Sequence, residues 1–329
     1  MTHEHVLVSA GRRRKGSAAR QYVGSRDPRA SDSITLENVG WVRRNWANHF
    51  DNMHLDEEDV AIEELGRYRD AGGNTVVDAT NSDLSRHPAK LATISRASGV
   101  RIIMGSGHYT DQAHPPDMDR RSEDELMEEI VRDVQEGCDG TRIKAGVIGE
   151  IRCSAPMTPN ERKSLRAAAR AQRETEAALL IHPGRTTGTP AEAIAIAVKA
   201  GADPAKIIMS HVERTLFELR DMITLAETGC YLEFDLFGQE SSYYPLAPID
   251  MPNDAMRIDY LQRLMAEGYE HRLLVSQDIC RKTSLVKYGG EGYGHILEDV
   301  VPIMRRKGMT EAEIESILSR NPARVLTIA

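Results

Sequence analysis

Seven short apolar segments recur along the chain, and each is followed by a turn and a long amphipathic stretch. They occupy residues 74–78, 100–106, 145–150, 178–182, 206–211, 230–235 and 272–278. Apolar strands that alternate with helices are typical of a parallel sheet with helices on its outer face. An open doubly wound sheet would need a Gly-rich phosphate loop after its first strand, and none is present. We therefore predict an α/β fold, a (β/α)8 TIM barrel formed as one domain by residues 1–329.

The two ends of this pattern are less regular than its middle. The eighth strand would have to lie at residues 2–7, so we expect a first strand that is truncated or very short. Helices are predicted for the stretches 122–137, 158–176, 190–200 and 213–228. Ser122 and Glu125 have the spacing of a capping box at the start of the first of these.

Composition excludes several classes of protein. The formal net charge is −8, which argues against general nucleic-acid binding, and the dense basic run at residues 12–15 is typical of a solvated loop. The chain has neither an apolar run long enough to cross a membrane nor a signal-peptide pattern, so we expect a cytoplasmic protein. The four cysteines form no CxxC pair, which indicates reduced thiols and no zinc finger.

Residues of metal-binding type stand at the ends of five of the expected strands. They are His3, His5, Glu150, His182, His211 and Asp278. A single histidine at a strand end is more often a structural residue than a ligand. Six such residues at the face where barrel active sites form favour a shared metal site instead. Four imidazoles and two carboxylates suit Zn²⁺, Mn²⁺, Co²⁺ or Fe²⁺.

The motifs THEHV, AGVIGEIRCS, IHPGR, SHVERT and SQD occur in this order. The chain thereby resembles the phosphotriesterase family of the amidohydrolase superfamily, most closely its phosphotriesterase-related branch, over essentially its whole length. The resemblance implies two divalent metal ions, with Zn²⁺ the first expectation. It implies that His3, His5 and Asp278 bind the more buried ion, that His182 and His211 bind the more exposed one, and that a carboxylate bridges the two.

Two residues compete for the role of the bridge. Other family members use a carboxylated lysine, and Lys144 is the candidate here. However, Lys144 precedes Glu150 by six residues, about 20 Å of extended strand, so the two cannot reach the same ions. When the motifs are aligned, the lysine position of the family falls on Gly149. We therefore predict that Glu150 is the bridge and that Lys144 is structural.

The resemblance also implies roles in catalysis. A hydroxide shared by two ions would be the nucleophile, and Asp278 would carry its proton to the leaving group. Glu213 is a candidate relay, with a solvated glutamate as the equal alternative, and Tyr109 is a candidate contact of the metal-bound oxygen. Substrate-binding candidates are Arg185, Tyr109, His108, Lys287, Tyr288 and Tyr293.

These features predict a hydrolase that acts on a small molecule. The bond is a carboxylic ester, a lactone or an N-acyl amide, and Arg185 would suit an N-acyl amino acid or an N-acyltaurine. The alternatives are an organophosphate (phosphotriester) hydrolase and a non-catalytic ligand-binding barrel. A homodimer is the habit of the family, and no nucleic-acid or membrane partner is expected.

Overall fold

Seven parallel strands form the central sheet of the computed structural model, which describes residues 1–9, 27–242 and 244–328. The strands are β3 (Thr75–Asp78), β4 (Arg101–Ser106), β5 (Val147–Arg152), β6 (Ala178–His182), β7 (Ile207–Met209), β8 (Tyr231–Phe234) and β9 (Leu273–Val275). They lie side by side in chain order. The prediction of a parallel α/β sheet is thus confirmed. The basic run at 12–15 lies outside the described residues.

The strands match the seven apolar segments, with one informative shift at β5. The sequence predicted that Glu150 ends this strand. In the structure β5 runs from Val147 to Arg152, so Glu150 lies inside it. The pairing of β5 with β6 is irregular between Ile148 and Ile151. All six residues of β5 are buried, which places Glu150 within the sheet and not on a loop.

The first five residues lie between the two edges of this sheet. On one side, the Val77 amide donates to the Met1 carbonyl (3.0 Å) and the Glu4 amide donates to the Val77 carbonyl (2.9 Å). On the other side, the Asp278 amide donates to the His3 carbonyl at 3.1 Å. Glu4 also forms an isolated parallel bridge with Asp78. Within residues 2–7 no regular strand is assigned.

Outside the main sheet, a two-stranded antiparallel ribbon joins β1 (Val8–Ser9) to β2 (His54–Leu55). The α-helices are α1 (Val39–Arg44), α2 (Glu58–Asp70), α3 (Pro88–Ser98), α4 (Glu123–Gln135), α5 (Pro159–Thr175), α6 (Thr189–Lys199), α7 (Leu219–Ala226), α8 (Asp254–Ala266), α9 (Val301–Arg306), α10 (Glu311–Glu315) and α11 (Asn321–Leu326). Short 3-10 turns lie at Pro28–Ser31, Trp46–Asn48, Asp51–Met53, Ser82–Leu84, Pro204–Lys206, Val212–Arg214, Glu270–Arg272, Lys282–Ser284 and Val286–Tyr288, and π-helical turns at Ile296–Val300 and Ser316–Arg320.

The helix boundaries follow the capping signals of the sequence. The capping box of Ser122 and Glu125 is present at the start of α4. The helix expected at 213–228 is shorter than predicted: a 3-10 turn, Val212–Arg214, precedes α7, which begins at Leu219. Glu213 and Arg214 lie in that turn, and both are buried.

Apolar side chains fill both faces of the sheet. The larger cluster joins the strands to the surrounding helices. The smaller one takes residues from several strands, among them Val77, Val147, Leu180 and Leu274. Within the described residues, no helix is long and apolar enough to cross a membrane.

Candidate metal centre

The six predicted ligands converge at one end of the sheet. His3 and His5 come from the segment between the edges, Glu150 from β5 and His182 from the last residue of β6. His211 and Asp278 lie just beyond β7 and β9. Because the carboxyl ends of parallel strands share one face, residues far apart in sequence meet there. All four histidines are buried.

Glu150 lies at the centre of this group. Its Oε1 is 3.4 Å from Nε2 of His5. Its Oε2 is 3.6 Å from Nε2 of His3 and 2.5 Å from Nδ1 of His182. The same oxygen lies 3.9 Å from Nε2 of His211. One carboxylate therefore faces both pairs of histidines.

Asp278 completes the side of His3 and His5. Its Oδ1 lies 3.4 Å from Nε2 of His5 and 3.8 Å from Nε2 of His3. On the other side, Nδ1 of His182 and Nε2 of His211 are 2.8 Å apart. The site thus has two lobes that share Glu150.

The ring nitrogens that point away from the centre are held by polar groups. Nδ1 of His5 contacts Oγ1 of Thr80 at 2.8 Å. Asp235 serves two rings at once: its Oδ2 lies 2.9 Å from Nδ1 of His3, and its Oδ1 lies 2.8 Å from Nδ1 of His211. Such outer contacts fix the tautomer and orientation of metal-binding histidines. Sequence reasoning missed Asp235. It is the last residue of the expected strand 230–235, the same position that the predicted ligands take in their strands.

Within the described residues, three overlapping groups have donor atoms close enough to hold a metal ion, each within 4.8 Å. They are His3 with His5 and Glu150, Glu150 with His182 and His211, and His3 with His211 and Asp235. Nε2 of His3 points into the cluster and, although it is buried, has no hydrogen-bond partner in that part of the chain. A buried orphan nitrogen among carboxylates is the arrangement that a cation would satisfy. The residues therefore fit a metal centre.

The surroundings shift the pKa values of His3 and His182 in opposite directions. Burial opposes protonation of His3, but hydrogen bonds to Asp235 and Glu233 raise its pKa well above the usual range. For His182, burial and the neighbouring His211 lower the pKa well below it. His182 also differs in its outer contact, since Nη2 of Arg214 lies 2.9 Å from its Nε2.

The backbone at Gly149 explains why the carboxylate comes from position 150. Gly149 has φ +130°, and a Cβ added there would lie 2.4 Å from the Leu180 carbonyl oxygen. No residue with a side chain fits that position without moving the strand. Lys144 is exposed on the approach to β5, so it does not reach the cluster.

Glu213 is buried beside the centre but not in it. Its Oε1 accepts from the Leu236 amide at 2.9 Å and from Nε of Arg257 at 3.2 Å. Burial raises the pKa of Glu213 to about 7. The structure therefore places Glu213 against Arg257 and the Leu236 backbone, two residues along the chain from His211.

A cavity of about 60 Å³ opens above the cluster. Two predicted substrate residues, Tyr109 and Arg185, line it. So do three arginines that sequence reasoning did not single out, Arg152, Arg214 and Arg281. Arg152 lies two residues after Glu150, and Arg214 lies three residues after His211. This closeness to predicted ligands is the sequence signal that could have identified both arginines.

Four predicted substrate residues do not line this cavity. His108 is buried against Asp83, with 3.3 Å from its Nδ1 to the carboxylate. Lys287 and Tyr288 contact Glu57 instead. Tyr293 is buried, and its hydroxyl donates to the His5 carbonyl at 2.8 Å, so it supports a ligand from behind.

Comparison with known proteins agrees with this geometry. The fold and the site define a parallel α/β protein whose histidines and carboxylates gather at the carboxyl end of the sheet, where the active sites of such folds form. The model of the phosphotriesterase family matches residues 1–326, and the chain belongs to that family. The family prediction is thereby confirmed.

Among its relatives is the N-acetyltaurine hydrolase of Rattus norvegicus, 41% identical over 99% of this chain and 93% of the relative. Another is the phosphotriesterase-related protein of Nematostella vectensis, 42% identical over 89% of this chain and 85% of the relative. Among solved structures, a resiniferatoxin-binding protein from Rhodobacter sphaeroides superimposes with a TM-score of 0.91 and 33% identity, covering 99% of this chain and 90% of that one.

Proposed function

We propose that the protein is a binuclear metal-dependent hydrolase that cleaves an acyl bond in a small molecule. The observation that carries the proposal is the pair of histidine lobes that share Glu150 beneath an arginine-lined cavity. His3, His5 and Asp278 would hold one divalent ion and His182 and His211 the other, with Zn²⁺ the first choice for this donor set. When bound, the two ions would supply Lewis-acid chemistry and an activated water.

The residues around the centre have distinct tasks in this proposal. The Asp278 side chain is 17% exposed, lines the cavity and reaches both His3 and His5, so it is placed to move a proton between water and the leaving group. Tyr109 lines the same cavity, with its ring centroid 5.8 Å from that of His182. It would contact the substrate oxygen. Glu213 would act through Arg257 and the His211 turn as a positioning residue.

The substrate class follows from the cavity and from the relatives. N-acetyltaurine hydrolases are 41% identical to this chain, and an N-acyl amino acid or N-acyltaurine carries an anion that an arginine binds. Esters and lactones require the same activated water, so the wider range of proposed substrates includes them. A neutral phosphotriester would offer no anion to Arg185 and Arg281, so this alternative is disfavoured.

The fold belongs to the same proposal. We propose that Met1–His5 acts as the eighth strand and closes the sheet into a (β/α)8 barrel. The support is its hydrogen bonding to Val77 on one edge and to Asp278 and Ile279 on the other.

The test is hydrolysis by the metal-loaded protein. Purified protein is stripped with a chelator, reloaded with Zn²⁺ or Mn²⁺, and assayed on N-acyl taurines, N-acyl amino acids, lactones and aryl esters. We expect about two equivalents of metal and turnover of at least one amide. Less than one equivalent of metal together with no turnover of the whole panel would overturn the proposal.

One observation favours a second candidate, a ligand-binding protein without catalysis. The superimposable Rhodobacter sphaeroides structure is described as a binding protein. Under that reading the protein would bind a ligand in the cavity and release it unchanged. The same panel separates the two, because a binder returns every substrate intact.

A further inference from the structure

Four side chains from distant parts of the chain stack into one wall of the cavity. Cζ of Arg281 lies 4.5 Å from the centre of the Trp46 ring, and that ring lies 6.2 Å from the ring of Tyr244. Cζ of Arg185 lies 5.8 Å from the Tyr244 ring on the far side. We call these four residues the cation–aromatic wall. Two guanidinium groups thus bracket two aromatic rings.

The guanidinium charges of this wall lack a neutralising carboxylate within the described part of the chain. Among the residues that the structure describes, neither Arg185 nor Arg281 has an acidic group within ion-pair distance. Nε of Arg185 is buried and has no hydrogen-bond partner among those residues. Arg214, the neighbour that contacts His182, also has no acidic partner within that part of the chain.

Two arginines that are more deeply buried than Arg185 and Arg281 have carboxylate partners. Arg86 lies 2.8 Å from Asp133 and 2.9 Å from Asp139. Arg257 lies 2.7 Å from Asp254 and 3.2 Å from Glu213. A buried charge normally needs such partners, because desolvation is costly. Arg185 and Arg281 are half-buried and, within the described residues, lack such partners, so an anion bound in the cavity would supply them.

The wall is held firmly enough to be a binding surface. Nη2 of Arg281 donates to Oε1 of Gln239 at 2.9 Å. The amide of Gln239 donates in turn to the carbonyl oxygens of Gln277 (2.8 Å) and Asp278 (3.2 Å). Arg281 is thus tied to the backbone of a predicted metal ligand. Aromatic faces stabilise the guanidinium groups without using up all their N–H donors.

The position of the wall says which part of a substrate it meets. Trp46, Tyr244 and Arg281 line both the small cavity above the cluster and an adjoining cavity of about 910 Å³. A substrate that extends from Glu150 and Asp278 into the adjoining cavity would contact this wall. Arg214, whose Nη2 contacts His182, adds a third guanidinium group to the lining of the small cavity.

We propose that the cation–aromatic wall binds the anionic end of the substrate, a sulfonate or a carboxylate, and so selects anionic N-acyl compounds over neutral ones. This inference rests on the proposed hydrolase function and assigns its specificity to Arg185 and Arg281. Both groups present planar N–H donors, which match the oxygens of either anion. The aromatic rings lie against the carbon chain between the acyl bond and the anion.

The test compares an anionic substrate with a neutral one of similar length. N-acetyltaurine and N-acetyl-β-alanine provide the sulfonate and the carboxylate, and N-acetylethanolamine provides the neutral partner. For Arg185→Gln and Arg281→Gln we expect kcat/KM on an anionic substrate to fall by about 10- to 100-fold, the range for losing one charge-assisted hydrogen bond. We expect the neutral substrate to change by less than about threefold on the same basis. The anion for which the loss is larger identifies the preferred end group.

The matched control is Arg67→Gln, because Arg67 is half exposed on α2 and pairs with Glu63. This variant should leave kcat/KM unchanged on both the anionic and the neutral substrate. Equal losses on the anionic and neutral substrates in the wall variants, or no loss on either, would overturn the specificity assignment.

Binding is measured separately by calorimetry with propane-1-sulfonate and with neutral propan-1-ol. If nothing is hydrolysed but the parent binds the sulfonate and the wall variants do not, the wall is an anion site and only the hydrolase proposal fails. If amides are hydrolysed but the sulfonate does not bind the parent, the hydrolase stands and the wall assignment fails.

Discussion

Replacing Asp235 by asparagine tests whether the outer contacts control the metal centre. Asp235 is fully buried and, among the residues that the structure describes, is the one carboxylate that touches both His3 and His211 through their Nδ1 atoms. It also accepts from the His211 amide at 3.0 Å. Burial opposes its charge, but the charged His211 and His3 lower its pKa below the usual range.

Asparagine has nearly the same shape but only one acceptor oxygen. It can serve one ring, and its amide nitrogen then faces Nδ1 of the other ring. A neutral ring that accepts this N–H carries its own proton on Nε2, the nitrogen that points to the cluster. Loss of such an outer partner costs about 10- to 100-fold in metal affinity. This equals about 1.4 to 2.8 kcal/mol of metal-binding free energy.

The measurement is competition between the metal-free protein and a chromophoric chelator for Zn²⁺. We expect Asp235→Asn to bind zinc at least tenfold more weakly than the parent. The control is Asp56→Asn, because Asp56 is exposed outside any helix or strand. A folded Asp235→Asn protein with zinc affinity within threefold of the parent would refute the reasoning.

Three further outcomes are expected. Glu150→Ala should lose most bound metal, whereas Lys144→Ala should keep it, and elemental analysis checks both; an empty site in Lys144→Ala alone would reverse the assignment. Gly149→Ala should lower the melting temperature and the metal content together, because the new Cβ would collide with backbone at a φ of +130°; a melting temperature equal to that of the parent would contradict this. Burial opposes the charge of His295, but hydrogen bonds, first to Asp254, raise its pKa to about 9, above the usual 6.5. Its stabilising effect should therefore be full below pH about 6.5 and disappear as pH rises through about 9, so urea unfolding of parent and His295→Gln should differ at pH 6 and converge near pH 10.

The parts of the site that the sequence predicted are those that depend on local pattern. A strand of apolar residues that ends in histidine or aspartate shows both its conformation and its polar end within a few positions, as at 178–182. The candidate ligands His182, His211 and Asp278 were predicted in this way. Glu150 was also identified, although the irregular pairing of β5 places it inside the strand.

The parts that were missed depend on contacts across the fold. The wall joins Trp46 to Tyr244 and Arg281, and no spacing along the chain shows that these residues meet. His108 illustrates the opposite error: it stands two residues beyond β4 beside Tyr109, but its ring turns toward Asp83 while Tyr109 faces the cavity. Sequence proximity to a strand end does not determine which way a side chain points.

The hydrogen bonds of the first five residues have a consequence for how the protein is made. His3 and His5 leave the ribosome long before Ser276, yet the His3 amide donates to the Ser276 side chain, 273 positions later in the chain. These two candidate ligands must therefore wait until residues 276–279 have been synthesised. Long-range closures of this kind form late and slowly. Metal binding by this lobe would then require a chain synthesised beyond residue 278 and folded, because a nascent chain that ends before residue 276 cannot assemble the lobe formed by His3, His5 and Asp278.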